Sequence, residues 1–311
     1  MRFLILGAGA LGGFFGARLV KGGADVTFLV RPGRAAQLQR DGLIVKSQEW
    51  EIRTPVKTIQ QGQIDAPFDV ILLSCKAYDL ESAMAAIAPA VGPQSAIVPM
   101  LNGMRHIDLL KERFGTDRVL GGLVALNTVM LADGSIQQSP MRVNLPAFPF
   151  GELDGSHTAR CDAVKNAFDA GSITTEISDN ILAAMWMKFF ILGCGVTIAS
   201  ITRSRAGVIS RCAAAPAFVA AVIDECTRVV TAEGYPPPAD AANIVRGFFS
   251  QPASTYGPSL LVDMEQGRTT EGDHTVGDLV RRAAGKNISV PILSAALCNL
   301  QAYEINRTQA K

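Results

Sequence analysis

Hydrophobic and polar positions follow two different rhythms along this chain, and the change from one to the other divides it. Residues 3–6 (FLIL) form a continuous apolar run, the pattern of a strand buried on both faces of a parallel sheet. Leu11, Phe15 and Leu19 then recur at helical spacing. Residues 24–30 (ADVTFLV) read as a second strand, rich in β-branched and aromatic side chains and closed by Arg31-Pro32-Gly33. Strand, helix and strand take about thirty residues, the size of one dinucleotide-binding unit. GLIVKS and EIRTPV read as a polar-flanked hairpin insertion, after which FDVILL returns as a buried strand running into Lys76. Residues 96–101 (AIVPML) end at Asn102-Gly103, and a further apolar run covers residues 119–130. Helical segments over residues 80–90 and 107–114 fill the gaps. This alternation predicts an α/β parallel sheet covered on both faces, with ligands outside the carboxyl ends of the strands, where Gly7, Arg31, Lys76 and Asn102 fall.

Beyond Thr174 the rhythm becomes helical throughout. A helix is expected from Asp179, one over about residues 213–232 and one over about residues 239–249 after Pro236-Pro237-Pro238, with two more to the end. The predicted boundary lies near residues 172–178. Residues 1–174 then form a Rossmann-type domain and residues 175–311 an all-helical one. The segment ILAAMWMKFFILGCGVTIASIT carries a single charge, Lys188, and is long enough to span a bilayer. A mid-segment lysine costs about 2.5–3.5 kcal/mol on insertion scales, and Ser178, Asp179 and Asn180 form a cap cluster suited to a soluble helix. A buried helix is the expectation.

The join between the first strand and helix, GAGALG, carries the first chemical signal. Gly7, Gly9 and Gly12 have the spacing G-x-G-x-x-G. A secretion signal would also show Arg2 followed by an apolar stretch, but these glycines weaken the helix that a signal needs, and Arg18 and Lys21 break the stretch. In a nucleotide cradle the first glycine permits a tight turn, the second lets a pyrophosphate approach and the third lets helix and strand pack closely. A purely structural strand-to-helix turn shows the same spacing. Where an NAD site offers a carboxylate, about 20 residues past the glycines, this chain has Arg31, with Arg34 nearby. A guanidinium suits a 2′-phosphate, so the expected cofactor is NADP(H).

Composition narrows the classes. With 311 residues and 48% apolar content the chain can build two cores, and its formal charge of +1 gives no electrostatic case for nucleic acid or a membrane surface. Six scattered cysteines without a C-x-x-C fit a reducing cytoplasm. His106, His157 and His274 are isolated, so no metal site is expected. Lys188 is the most informative residue: an ammonium within an apolar helix must snorkel, pair or give up its proton readily.

Taken together, GAGALG, the arginine closing the second strand, CKAYD around Lys76, LNGM around Asn102, W-x-K at Trp186 to Lys188, and Ser259 followed by Glu271 resemble the ketopantoate reductases (2-dehydropantoate 2-reductases) over nearly the whole chain. The resemblance implies an NADPH-dependent reductase of a small 2-oxo acid, with a Rossmann domain, a helical domain and an active site in the cleft between them. It implies that Gly7, Ala8, Gly9, Ala10, Leu11, Gly12, Arg31 and Lys76 bind the cofactor. It makes Lys188 the proton donor, Asn102 a contact to cofactor and substrate, Ser259 a ligand of the substrate carboxylate, and Glu271 an orienting residue that also contacts the cofactor. Plainer readings are a helix cap for Ser259, a turn former for Asn102 and a solvated acid for Glu271.

One departure bears on the substrate. Ketopantoate-reducing members carry asparagines four and eight residues after the lysine, where this chain has Leu192 and Val196. Losing two amides leaves a less polar wall and favours a 2-oxo acid with a more apolar tail, although ketopantoate stays the leading substrate and pantothenate biosynthesis the implied setting. An imine or 3-hydroxy acid reductase is disfavoured by the set Asn102, Lys188, Ser259 and Glu271. A non-catalytic NADPH-binding regulator is disfavoured by the retention of Lys188 and Glu271. The direction of reaction and the oligomeric state, with a homodimer as the candidate, stay open at this point.

Overall fold

A computed structural model describes residues 1–139 and 146–309 of the chain. From the amino terminus the elements are β1 (Arg2–Leu6), α1 (Ala10–Lys21), β2 (Asp25–Leu29), α2 (Pro32–Asp41), β3 (Leu43–Lys46), β4 (Glu51–Thr54), β5 (Lys57–Ile59), β6 (Phe68–Leu73), α3 (Leu80–Ile87), β7 (Val91–Pro99), α4 (Arg105–Phe114), β8 (Leu120–Gly122), β9 (Thr128–Met130), β10 (Ile136–Gln138), β11 (Phe148–Glu152), α5 (Ala159–Ala170) and β12 (Thr175–Ile177). Seven helices follow: α6 (Ile181–Thr202), α7 (Ala206–Ile209), α8 (Ala215–Ala232), α9 (Ala241–Ser250), α10 (Ser259–Glu265), α11 (Gly272–Gly285) and α12 (Pro291–Gln309). Two compact units result. One contains Met1–Leu101 and His106–Leu182, the other Asn102–Arg105 and the chain from Ala183 onward.

The first unit is built on a parallel sheet of order β5-β2-β1-β6-β7. Phe3, Leu4 and Ile5 are fully buried, which is why the apolar run that opens the chain becomes the central strand. The hairpin insertion forms as β3 and β4, which join β10 and β9 in a second sheet of order β4-β3-β10-β9. A third sheet, β12-β11-β8, packs beside α1: Phe15 of α1 lies 5.4 Å from Phe148 of β11 and 6.0 Å from Phe168 of α5, both at steep interplanar angles. The apolar run at residues 119–130 is therefore not one strand. Its two ends, β8 and β9, belong to different sheets, because apolarity marks burial without marking the partner that buries it.

The second unit is helical. Its α6 is long and apolar enough to cross a membrane, yet 61% of its most apolar window is buried inside the protein, as in a core helix. Ser178 Oγ accepts the Asn180 N–H just ahead of it. After α9 there are three helices rather than the two expected, because α10 is short and the chain turns at Gly267, with φ +66°, before α11.

One buried carboxylate ties two of these helices together. Glu225 on α8 accepts the backbone N–H groups of Ile292 and Leu293 at 2.9–3.1 Å, satisfying free donors in the first turn of α12 where the helix dipole favours negative charge. Glu225→Ala is expected to lower stability by about 3 kcal/mol, and Glu225→Gln by roughly half of that, in urea unfolding followed by circular dichroism. An alanine variant as stable as the parent would show that the cap carries no energy.

Candidate active site

At the end of β1 the chain turns through Gly7, whose φ of +89° only glycine adopts readily, while its N–H donates to Leu29 O at 3.0 Å. Gly12 sits where α1 crosses β1. A Cβ there would stand 2.2 Å from Gly7 O and 2.3 Å from Ser74 Oγ, so helix and strand approach this closely only because the side chain is missing. At Gly9 the opposite holds: a Cβ would meet nothing within 4 Å, and no side chain caps the helix that follows. Open space at uncapped amides of a helix N-terminus fits a pyrophosphate, with Ala8 buried beneath the turn and Ala10 and Leu11 opening the helix.

The two arginines after β2 have different fates. Arg34 is tied inward: its Nε donates to Ala8 O at 3.0 Å and its Nη1 to Gln37 Oε1 at 2.7 Å and Gly134 O at 3.0 Å. It braces the glycine turn. Arg31, two residues past β2, has a side chain 84% exposed and pairs with Asp79 at 3.3 Å, a surface pair of small energy. Lys76 is also exposed, at the start of the single 3-10 turn that carries Asp79. The exposed guanidinium suits a 2′-phosphate and the turn suits the pyrophosphate, so these residues fit NADP(H).

The second unit gathers a different set. Lys188 lies in the middle of α6 and is half-buried, and burial pushes its ammonium down to about 8, an effect partly offset by the charge of Glu271. Glu271 is the residue just before α11. The first turn of the same helix holds the Asn102 loop: Gly103, at φ +87°, lies against His274, where a Cβ would come within 3.2 Å of the imidazole, and Arg105 pairs with Asp273 at 3.2 Å. Burial brings the His274 imidazole down to about 4, with the charge of Glu271 opposing, so the ring is neutral near pH 7. Lys188, Glu271 and Asn102 are thus linked through the start of α11. Ser259 opens α10 with an exposed side chain and, among the described residues, makes no hydrogen bond to any of the three.

Leu192, one turn beyond Lys188, is half-buried, whereas Val196 is 1% exposed and packs into the core. Sequence reading did not find the contribution of Arg105, Asp273 and His274, because the pairing of a loop with a distant helix has no local period. The dipeptide Arg105-His106 after LNGM was the available signal for a charged loop end. Among the described residues no three His, Cys, Asp or Glu side chains are grouped to hold a metal ion.

The family model described as "Ketopantoate reductase PanE/ApbA" matches residues 3–149, and its C-terminal companion matches residues 180–304. The chain is 34% identical over 309 residues to the uncharacterized oxidoreductase YkpB of Bacillus subtilis (strain 168), covering 99% of this chain and 100% of that one. It is 23% identical to the 2-dehydropantoate 2-reductase of Mesorhizobium japonicum, covering 99% of each. A crystal structure of a PanE/ApbA family ketopantoate reductase from Ralstonia eutropha JMP134 superposes with a TM-score of 0.88 at 24% identity, covering 99% of this chain and 100% of that one.

The separate fates of Arg31 and Arg34 generate a prediction. NADPH is expected to bind more tightly than NADH, and Arg31→Asp to weaken NADPH binding by about tenfold to a hundredfold while leaving NADH nearly unaffected, in fluorescence titration. Equal affinity of the unmodified protein for both cofactors would remove the role given to Arg31.

Proposed function

This chain belongs to the ketopantoate reductase family of NADP-dependent oxidoreductases, and on that premise we propose that it reduces a small 2-oxo acid to the 2-hydroxy acid, with 2-dehydropantoate as the leading substrate and pantoate as its product. The observation that supports this reading best is the half-buried Lys188 beside Glu271, held at the start of the helix that also fixes the Asn102 loop. When bound, NADPH supplies the hydride for the ketone carbon.

The residues of the chain supply the rest. Lys188 Nζ donates a hydrogen bond to the ketone oxygen and passes its proton there as negative charge develops, leaving a neutral amine and a 2-hydroxy acid. Burial has brought the lysine within reach of neutral pH, so the proton is lost more easily than from a solvated lysine, while Glu271 keeps enough of the charged form present. Asn102 would contact both cofactor and substrate, and Ser259 would hydrogen-bond the substrate carboxylate. The glycine turn, Arg31 and Lys76 bind the phosphates.

A second reading keeps the chemistry and changes the acid. Leu192 presents an alkyl side chain one turn from Lys188, and this favours a more apolar 2-oxo acid. NADPH oxidation measured against ketopantoate and a panel of branched and aromatic 2-oxo acids separates the two readings by kcat/KM. On the second reading Leu192→Asn, alone or with Val196→Asn, shifts preference toward ketopantoate. A parent enzyme that already prefers ketopantoate over every apolar acid tested would eliminate it.

For either acid, Lys188→Ala is expected to lower turnover by roughly a hundredfold or more, with NADPH affinity little changed. The reductive direction uses the protonated lysine, so in the parent kcat should be highest below about 8 and fall as pH rises through that value. Near-normal turnover of the alanine variant, or a kcat that rises across this range, would sink the role of Lys188.

A further inference from the structure

Glu271 is the residue before α11, and both of its chain neighbours are held by α12. On the amino-terminal side, Thr270 gives its backbone N–H and its hydroxyl to one oxygen of Glu304, at 2.7 and 2.8 Å. On the other side Gly272 lies against Leu300, where a Cβ would come within 3.0 Å of a methyl carbon. Leu300 and Glu304 are one turn apart and so share a face of α12. The Glu271 carbonyl is fixed as well, accepting the Thr275 N–H at 3.1 Å and its hydroxyl at 2.9 Å. These anchors on the backbone leave the Glu271 side chain few directions to take.

Glu304 is itself held. Arg307 Nη2 and Nε donate to its second oxygen at 2.9 and 3.0 Å, with both side chains largely covered. Burial by itself would raise the Glu304 carboxyl, but the Thr270 hydrogen bonds and Arg307 outweigh it and keep it below the ordinary carboxylate range, so it is ionised at neutral pH. The neighbouring Tyr303 donates its hydroxyl to Arg268 O at 2.8 Å, with the Arg203 guanidinium 5.2 Å from its ring. The lysine's helix is tied to α12 too: Asn299 Nδ2 donates to Ser200 O of α6 at 2.7 Å. A carboxylate with both oxygens satisfied, on a helix fastened to α6, is a fixed reference for the residue it binds.

We propose that Glu304 is a positioning residue for the reaction: through Thr270 it sets Glu271 in place against Lys188. This rests on the reductase reading above. The consequence falls on the lysine. Of the charges around the start of α11, those of Asp273, Arg105 and Arg281 bear on His274, which is neutral near pH 7, whereas the charge that bears on Lys188 is that of Glu271. Glu271 favours the protonated lysine against burial, so a Glu271 released from its place leaves the lysine to lose its proton at a lower pH. Reduction uses the protonated form, and the fall of kcat with rising pH then begins earlier.

The test is the pH profile of kcat, measured with NADPH and the 2-oxo acid that the parent reduces best. Glu304→Ala should move the fall that the parent shows near 8 to lower pH by about 0.5 or more. Glu304→Gln, which keeps an acceptor for Thr270, should largely restore the parental profile. Thr270→Val removes the hydroxyl's bond alone and should move the profile less in the same direction, which keeps the role of Glu304 open to test should the alanine variant fail to fold. Glu225→Ala, which loosens the other end of α12, supplies the comparison for a general loss of stability and should leave the profile where it is. A profile of Glu304→Ala that overlays the parent's, or an equal displacement in Glu225→Ala, overturns the inference. A parent whose kcat does not fall through about 8 overturns the role of Lys188 and the inference with it. A parental fall that no substitution at Glu304 or Thr270 moves leaves the reductase reading standing and removes the role of Glu304 alone.

Discussion

An ammonium inside an apolar helix is costly unless other elements compensate it, and much of the second unit is arranged around that constraint. Lys188 is the single charge on α6, a helix whose remaining surface is needed for the core. Compensation has to come from elsewhere in the chain, and it comes from Glu271 at the start of α11. The same helix start is pinned by Arg105 to Asp273 and by the close contact of Gly103 with His274, so the residue that tunes the lysine and the loop that carries Asn102 share one anchor. A lysine held this way gives up its proton more readily than a solvated one.

The first unit solves a different problem, that of bringing backbone close to a polyanion. Removing side chains at Gly7, Gly9 and Gly12 serves three distinct ends: a left-handed turn, an open approach to helix amides, and contact between α1 and β1. Arg34 adds a brace by fixing the Ala8 carbonyl, which leaves Arg31 exposed with a weakly held guanidinium. Of two arginines three positions apart, one is spent on structure and the other is available to a ligand.

A residue from another part of the chain borders the Lys188 face of α6. The Lys188 face of α6 is apolar at Leu192 and empty at Gly195, and the gap is filled by a phenol carried on the segment between α9 and α10. Reading α6 alone suggests a wholly apolar wall. Tyr256 places a phenol hydroxyl beside that face.

The sequence by itself determined whatever is periodic or contiguous. The buried run at residues 3–6, the glycine spacing, the strand and helix alternation and the lone lysine of a long apolar helix are all legible within a few turns of chain, because burial repeats with the period of the local structure. It also carried the family, through motifs spread in order from Gly7 to Glu271. Tertiary structure decided which residues meet. That residues 119–130 divide between two sheets, that Arg34 turns inward, that Glu271 rather than another acid faces Lys188, and that Tyr256 covers Gly195 all depend on contacts between segments far apart in the chain. Such contacts leave no local period to read, since a side chain's charge and shape say what it needs while only the packed fold says which partner is within reach.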